Sequence, residues 1–196
     1  MGRNIEIEFK NMVNKENFTK LQQYFQIDEN DFIIQKNHYF DTHGLTLGQK
    51  KAALRIREKE GRCELTLKKI AKNGVLEINQ FISDEEANAM LWENILPLGE
   101  VRDELILMNI YPESLEYKGM LQTRRAQVSY IKGQIMLDHS SYFEQEDFEI
   151  EYEVDEKDLL RSKNDFYKLL NELNIPRNHA DNKIKRFFDA KKEGSH

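Results

Sequence analysis

Residues 5 to 10 read Ile-Glu-Ile-Glu-Phe-Lys, so that Ile5, Ile7 and Phe9 alternate strictly with Glu6, Glu8 and Lys10. Successive side chains of a β-strand point to opposite faces, so the stretch predicts a strand with one apolar face and one fully charged face. Residues 148 to 154 repeat the pattern more cleanly: Phe148, Ile150, Tyr152 and Val154 fall on one side, Glu149, Glu151 and Glu153 on the other. Carboxylates recurring every ~7 Å along a strand repel one another unless something positive sits between them.

Positive charge appears on other strands in the same alternation. Across 53 to 59, Leu54 and Ile56 oppose Arg55, Arg57 and Lys59; across 63 to 69, Cys63, Leu65 and Leu67 oppose Glu64, Thr66 and Lys68. Gly61 between them predicts a hairpin turn, and Asn73-Gly74 a second turn before a strand at 75 to 82 that carries Glu77 and Asn79 on its polar side. An aromatic-rich strand is expected at 32 to 41, followed by a connecting loop through Lys51. Beyond residue 115 the strand pattern returns, and the alternation puts Arg125 rather than Arg124 on the polar side, with Asp138 on the next strand. Helices are predicted at 15 to 26, at 84 to 95 behind a Ser83/Glu86 capping box, at 157 to 173 with Leu159, Leu160, Phe166, Leu169, Leu170 and Leu173 as its apolar residues, and at 181 to 191 with Lys183, Lys185 and Arg186; residues 101 to 109 are ambiguous.

About eight strands joined mostly by short turns predict an antiparallel sheet that closes on itself. The amphipathic helices need an apolar surface to cover, which places them outside and the charged strand faces inside. An interior with that many charges holds water, metal and a polyanion rather than a dry core. Carboxylates are hard ligands suited to Mg²⁺ or Mn²⁺, and arginine forks suit phosphate oxygens. Together they are the equipment of phosphoryl transfer, which depends on positioning and charge neutralisation.

Composition narrows the field. The chain has 196 residues, 39% hydrophobic and 33% charged, which fits one domain covering 1–196 with a helical C-terminal segment at about 157–191. A formal net charge of −6 disfavours nucleic acid as a partner. The single cysteine, Cys63, excludes an internal disulfide and a zinc–thiolate site, and His38, His43, His139 and His179 have no metal-ligand spacing. No apolar run approaches the length of a membrane span and no signal-peptide pattern opens the chain, so no membrane partner and a cytoplasmic setting are expected.

The ordered series of charged strands resembles the CYTH superfamily, also called triphosphate tunnel metalloenzymes. Glu6-x-Glu8-x-Lys10 matches its ExExK signature; Tyr39-Phe40-Asp41-Thr42, Leu54-Arg55-Ile56-Arg57, Glu64-Leu65-Thr66-Leu67-Lys68, Glu77, Arg125, Asp138, Glu149-Ile150-Glu151 and Lys183 follow in the family's order. The resemblance implies an α+β fold, an eight-stranded antiparallel β-barrel forming a tunnel with flanking helices. It implies metal ligation by Glu6, Glu8, Glu149 and Glu151, with Glu77 and Asp138 as further ligands or as groups that orient basic neighbours, and phosphate binding by Lys10, Arg55, Arg57, Lys68, Arg125 and Lys183. Glu6, Glu8, Lys10, Glu149 and Glu151 form the implied catalytic set. Ser140 departs from members that carry a basic residue two positions after the aspartate. The implied activity is Mg²⁺- or Mn²⁺-dependent triphosphate hydrolysis, with inorganic triphosphate as the small-molecule substrate. Thiamine triphosphate or another organic triphosphate, adenylate cyclisation, and triphosphate or polyphosphorylated-nucleotide binding without cleavage are the alternatives.

Overall fold

A computed structural model describes residues 2–71 and 74–193. The fold is α+β, an antiparallel sheet with helices packed on it, in line with the alternation. The strands are β1 (Gly2–Glu6), β2 (Glu8–Val13), β3 (Ile33–Thr42), β4 (Ala52–Lys59), β5 (Arg62–Ala71), β6 (Gly74–Ile82), β7 (Leu115–Tyr130), β8 (Gly133–Tyr142) and β9 (Gln145–Val154). The helices are α1 (Lys15–Phe25), α2 (Thr46–Gln49), α3 (Asp84–Glu93), α4 (Glu100–Leu107), α5 (Leu159–Glu172) and α6 (Lys183–Glu193). The hydrogen-bonded order of the nine strands is β1-β6-β5-β4-β3-β7-β8-β9-β2.

The expected opening strand is two strands. β1 is a neighbour of β6, whereas β2 pairs with β9 in the register Glu8↔Glu153, Lys10↔Glu151, Met12↔Glu149. The interruption falls at Ile7, where the chain changes partner; the Ile7 carbonyl still accepts a bond from the Val154 N–H at 3.0 Å. This break accounts for nine strands among the described residues where about eight are expected.

The chain forms two compact units, Met1–Ile5 with Gln35–Leu121 and Glu6–Ile34 with Gln122–His196. In the first, Leu54, Ile56, Leu65, Leu67 and Ile78 from β4 to β6 pack with Ala87 and Met90 of α3 and Val101 and Leu105 of α4. The Ser83/Glu86 capping box opens α3 as expected, and the ambiguous stretch resolves as α4. Gly99 precedes α4 at φ +137, where a Cβ would collide with the Gln80 side chain, so glycine is required there. In the second unit, Ile135, Leu137, Ile150 and Tyr152 of β8 and β9 pack with Phe18 and Leu21 of α1 and Phe166, Leu169 and Leu170 of α5. Each of these fully buried aliphatic side chains contributes ~1.5–3 kcal/mol of transfer free energy. In both units the helices cover the apolar strand face, which leaves the opposite face to the charges.

Two further expectations change. The loop after β3 contains α2, because the buried Asp41 carboxylate accepts N–H bonds from Thr42 at 2.7 Å, Leu47 at 2.8 Å and Gly48 at 3.0 Å and so gathers that turn. The third predicted helix begins at Leu159, after a 3₁₀ turn at Glu156–Asp158, and Leu160 is 82% exposed rather than part of the apolar stripe. The Asn73-Gly74 turn falls partly outside the described residues. No described helix is long and apolar enough to cross a membrane.

Candidate functional site

The second unit holds the acidic candidates. Alternation along β9 sends Glu149 and Glu151 to one face, and the register with β8 sets Glu149 opposite Asp138. Asp138 and Glu149 are completely buried and Glu151 nearly so. One carboxylate oxygen from each lies within 4.8 Å of the others, a spacing that could hold a metal ion. Three hard oxygen donors suit Mg²⁺ or Mn²⁺, so the residues present fit such an ion.

Basic side chains close around this cluster. The Arg125 guanidinium donates to Asp138 through Nε at 2.7 Å and Nη2 at 2.5 Å, and through Nη2 to Glu151 at 2.5 Å. Lys10, opposite Glu151 in the register, donates to it at 3.1 Å and lies 2.8 Å from Glu8. Lys183, at the start of α6, places Nζ 2.7 Å from both Asp138 Oδ2 and Glu151 Oε1 and also pairs with Glu149. The structure therefore brings Glu8, Lys10, Arg125, Asp138, Glu149, Glu151 and Lys183 together. The Glu6 side chain lies outside the described residues.

Burial and charge pull these groups in opposite directions. Burial pushes the Glu149 carboxyl up to about 7, against the pull of Lys183 and with the help of Glu151. Burial would raise Glu151 as well, but Lys183, Lys10 and Arg125 outweigh it and hold that carboxyl well below the usual range. Asp138 is lowered in the same way, with Arg125 and Lys183 outweighing burial. Burial alone would depress the Lys183 and Lys10 ammoniums; the surrounding carboxylates raise both instead.

Two participants were not expected from the sequence. Arg186 donates through Nε to Asp147 at 2.8 Å, and its Nη2 lies 2.6 Å from Glu149 Oε2. Asp147 extends the Glu149–Glu151 alternation by one step, and Arg186 stands about one helical turn after Lys183. Both periods were visible; the pairing across the fold was not.

The first unit holds the remaining candidates. Arg55, Arg57, Lys68 and Glu77 all lie on β4 to β6, with Lys68 directly opposite Glu77. Lys68 and Glu77 form an ion pair. Burial would raise Glu77, but Lys68 and Arg55 outweigh it and bring its carboxyl down to about 2. Glu77 is thus engaged with the basic side chains of its own unit, while the metal-capable trio lies in the other. The Arg57 Nε donates to the buried Asn37 at 2.9 Å. The Arg55 Nε is buried and has no hydrogen-bond partner among the described residues, an orphan donor suited to an anion's oxygen. Arg124, on the opposite face from Arg125, pairs with Glu29 and stacks over Phe32.

Comparison with known proteins converges on one family. The CYTH domain model matches residues 4–188. A Bacillus subtilis protein named "Putative triphosphatase YjbK" is 44% identical over 193 residues, which span 98% of this chain and 99% of the relative. A Bacillus halodurans structure described as a putative adenylate cyclase is 42% identical, covers 96% of this chain and 100% of its own, and superposes with a TM-score of 0.91. A Hippeastrum protein, at 23% identity and a TM-score of 0.78 over 95% of this chain and 96% of its own, shares the fold. The ordered run of charged strands and these whole-length likenesses agree, and the chain belongs to the CYTH domain family.

Proposed function

We propose that this protein is a Mg²⁺- or Mn²⁺-dependent hydrolase of short phosphate chains, cleaving inorganic triphosphate to diphosphate and phosphate. The observation that carries this reading is the buried Asp138–Glu149–Glu151 trio, a set of converging oxygen donors ringed by cations. A carboxylate cluster placed so deeply costs folding free energy, and perturbed groups of this kind concentrate at functional sites. Family membership and the name of the Bacillus subtilis relative support a triphosphatase.

In this reading Glu6, Glu8, Asp138, Glu149 and Glu151 hold the cation. When bound, it polarises phosphoryl oxygens and acidifies a water. Arg125 and Lys10 fix the carboxylate orientations, and both, with Lys183, present positive charge to phosphate oxygens as negative charge develops on the leaving group. In the first unit, Arg55, Arg57 and Lys68 bind phosphate oxygens, with Glu77 orienting Lys68.

The test is phosphate release from inorganic triphosphate, thiamine triphosphate and ATP with each metal, with and without a chelator. Inorganic triphosphate should turn over fastest, chelator should abolish release, and Glu151→Gln should lose at least a hundredfold in rate while staying folded. Full turnover by that variant, or in excess chelator, overturns the reading. The name of the Bacillus halodurans relative favours adenylate cyclisation as a second reading, which cyclic AMP production from ATP in the same assay would establish.

A further inference from the structure

Three neighbouring strands align one polar row. The register sets Arg55 of β4 opposite Thr66 of β5, and Thr66 opposite Asn79 of β6, so the three side chains share a face. Thr66 is completely buried. Each residue carries a buried polar side-chain atom with no hydrogen-bond partner among the described residues: Arg55 Nε, Thr66 Oγ1 and Asn79 Oδ1. Most buried polar groups in folded proteins are paired, and a buried hydroxyl without a partner opposes folding.

Their surroundings say why this row is polar. Arg57 lies two residues from Arg55 along β4, and Lys68 two residues from Thr66 along β5, all on the same face. The Asn79 Nδ2 donates to Glu77 Oε2 at 3.4 Å, which fixes the amide so that its carbonyl is the unpaired end. A β-strand position that packing alone governed would take valine at 66, with the same shape and no hydroxyl to desolvate.

We propose that Thr66 is a phosphate-binding residue: its hydroxyl donates to an oxygen of the phosphate chain held by Arg55. A hydroxyl adds a short, directional donor beside the arginine forks, and it discriminates a tetrahedral phosphoryl group from a planar carboxylate by where the oxygen must lie. The inference rests on the phosphate-chain reading of Arg55, Arg57 and Lys68.

The experiment compares wild type, Thr66→Val and Thr66→Ser for Mn²⁺-supported turnover of inorganic triphosphate and for the melting temperature of the ligand-free protein. For Thr66→Val, KM should rise about tenfold, as expected for one hydrogen bond to a charged group, with kcat within a fewfold of wild type. The melting temperature of that variant should hold or rise, because an unsatisfied hydroxyl is gone. Thr66→Ser, which keeps the hydroxyl, should bring KM back to within about threefold of wild type. An unchanged KM in Thr66→Val, or a raised KM that tracks a lower melting temperature and is not restored by serine, overturns the inference alone. A wild-type protein that does not turn over inorganic triphosphate overturns the phosphate-chain reading and this inference with it.

Discussion

Replacing Arg125 by methionine removes a cation that engages two carboxylates of the acidic cluster while keeping much of its volume. Its guanidinium spans Asp138 at 2.7 and 2.5 Å and Glu151 at 2.5 Å, with Asp138 fully buried and Glu151 4% exposed. At an effective dielectric of ~20, a charge pair that close attracts by ~6–7 kcal/mol before desolvation is counted. Arg125 itself gives up hydration, so the pair's net worth is far smaller. Its loss is another matter, because Asp138 stays buried with less compensation, and breaking a buried pair from one side costs ~3–5 kcal/mol. Lys183 remains 2.7 Å from Asp138 and takes up part of the charge, which puts the expectation at the lower end, about 3 kcal/mol. For a chain of this length that is a fall in melting temperature of roughly 6–12 °C. Urea denaturation followed by far-ultraviolet circular dichroism measures it, and adding Asp138→Asn to the same variant should recover part of the loss. A destabilisation below about 1 kcal/mol would refute the view that Arg125 compensates the buried Asp138 charge.

Other expectations follow from the same groups. Glu77 titrates at about 2 in the folded protein against an ordinary 4.5, so its stabilising contribution is complete above pH 4.5 and disappears as pH falls toward 2. Glu77→Gln should therefore flatten the acid limb of the stability profile across that window; an unchanged slope contradicts the Lys68–Arg55 environment described for it. Burial and the neighbouring Asp84 push the Cys63 thiol up to about 11, so alkylation by iodoacetamide at pH 8 should run on the order of a hundredfold slower than for a free thiol. Asp84→Asn should speed it. Lys183→Met should tighten Mn²⁺ binding severalfold in calorimetry, because the ammonium then no longer sits among Asp138, Glu149 and Glu151; weaker binding would show that lysine and metal do not compete.

What the amino-acid order disclosed was whatever depends on neighbours along the chain. Strand face is such a property, and alternation separated Arg125 from Arg124 correctly: one meets Asp138 and Glu151, the other Glu29 and Phe32. The apolar stripes of α1 and α3 are equally local. Leu160 misled because it is apolar but off the stripe: at roughly 100° per residue it falls about 120° around α5 from Phe166, on the exposed side. The partnership of Arg186 with Asp147, 39 residues away, could not be read from either residue's surroundings in sequence. The ordered motif series left Glu77 as a metal ligand or as a group that orients basic neighbours, and only the register of β5 with β6 reveals that Lys68 stands opposite it. The role of Asp41 in gathering α2 was hidden for a similar reason: its partners are backbone N–H groups, which carry no sequence signature.

The break at Ile7 has a consequence for how the molecule is made. β1 and β2 lie at opposite ends of the strand order although they are adjacent in the chain. This early segment thus waits for partners synthesised much later; Lys10 and Glu151, which face each other in the register, are 141 residues apart. Closing so long a loop is slow, and an unpaired strand invites pairing with other chains. Glu8 and Lys10 put charge on that strand, and charge on an unpaired strand opposes such pairing. Neutralising them for the sake of a binding experiment should therefore lower soluble yield even where the finished fold tolerates the change.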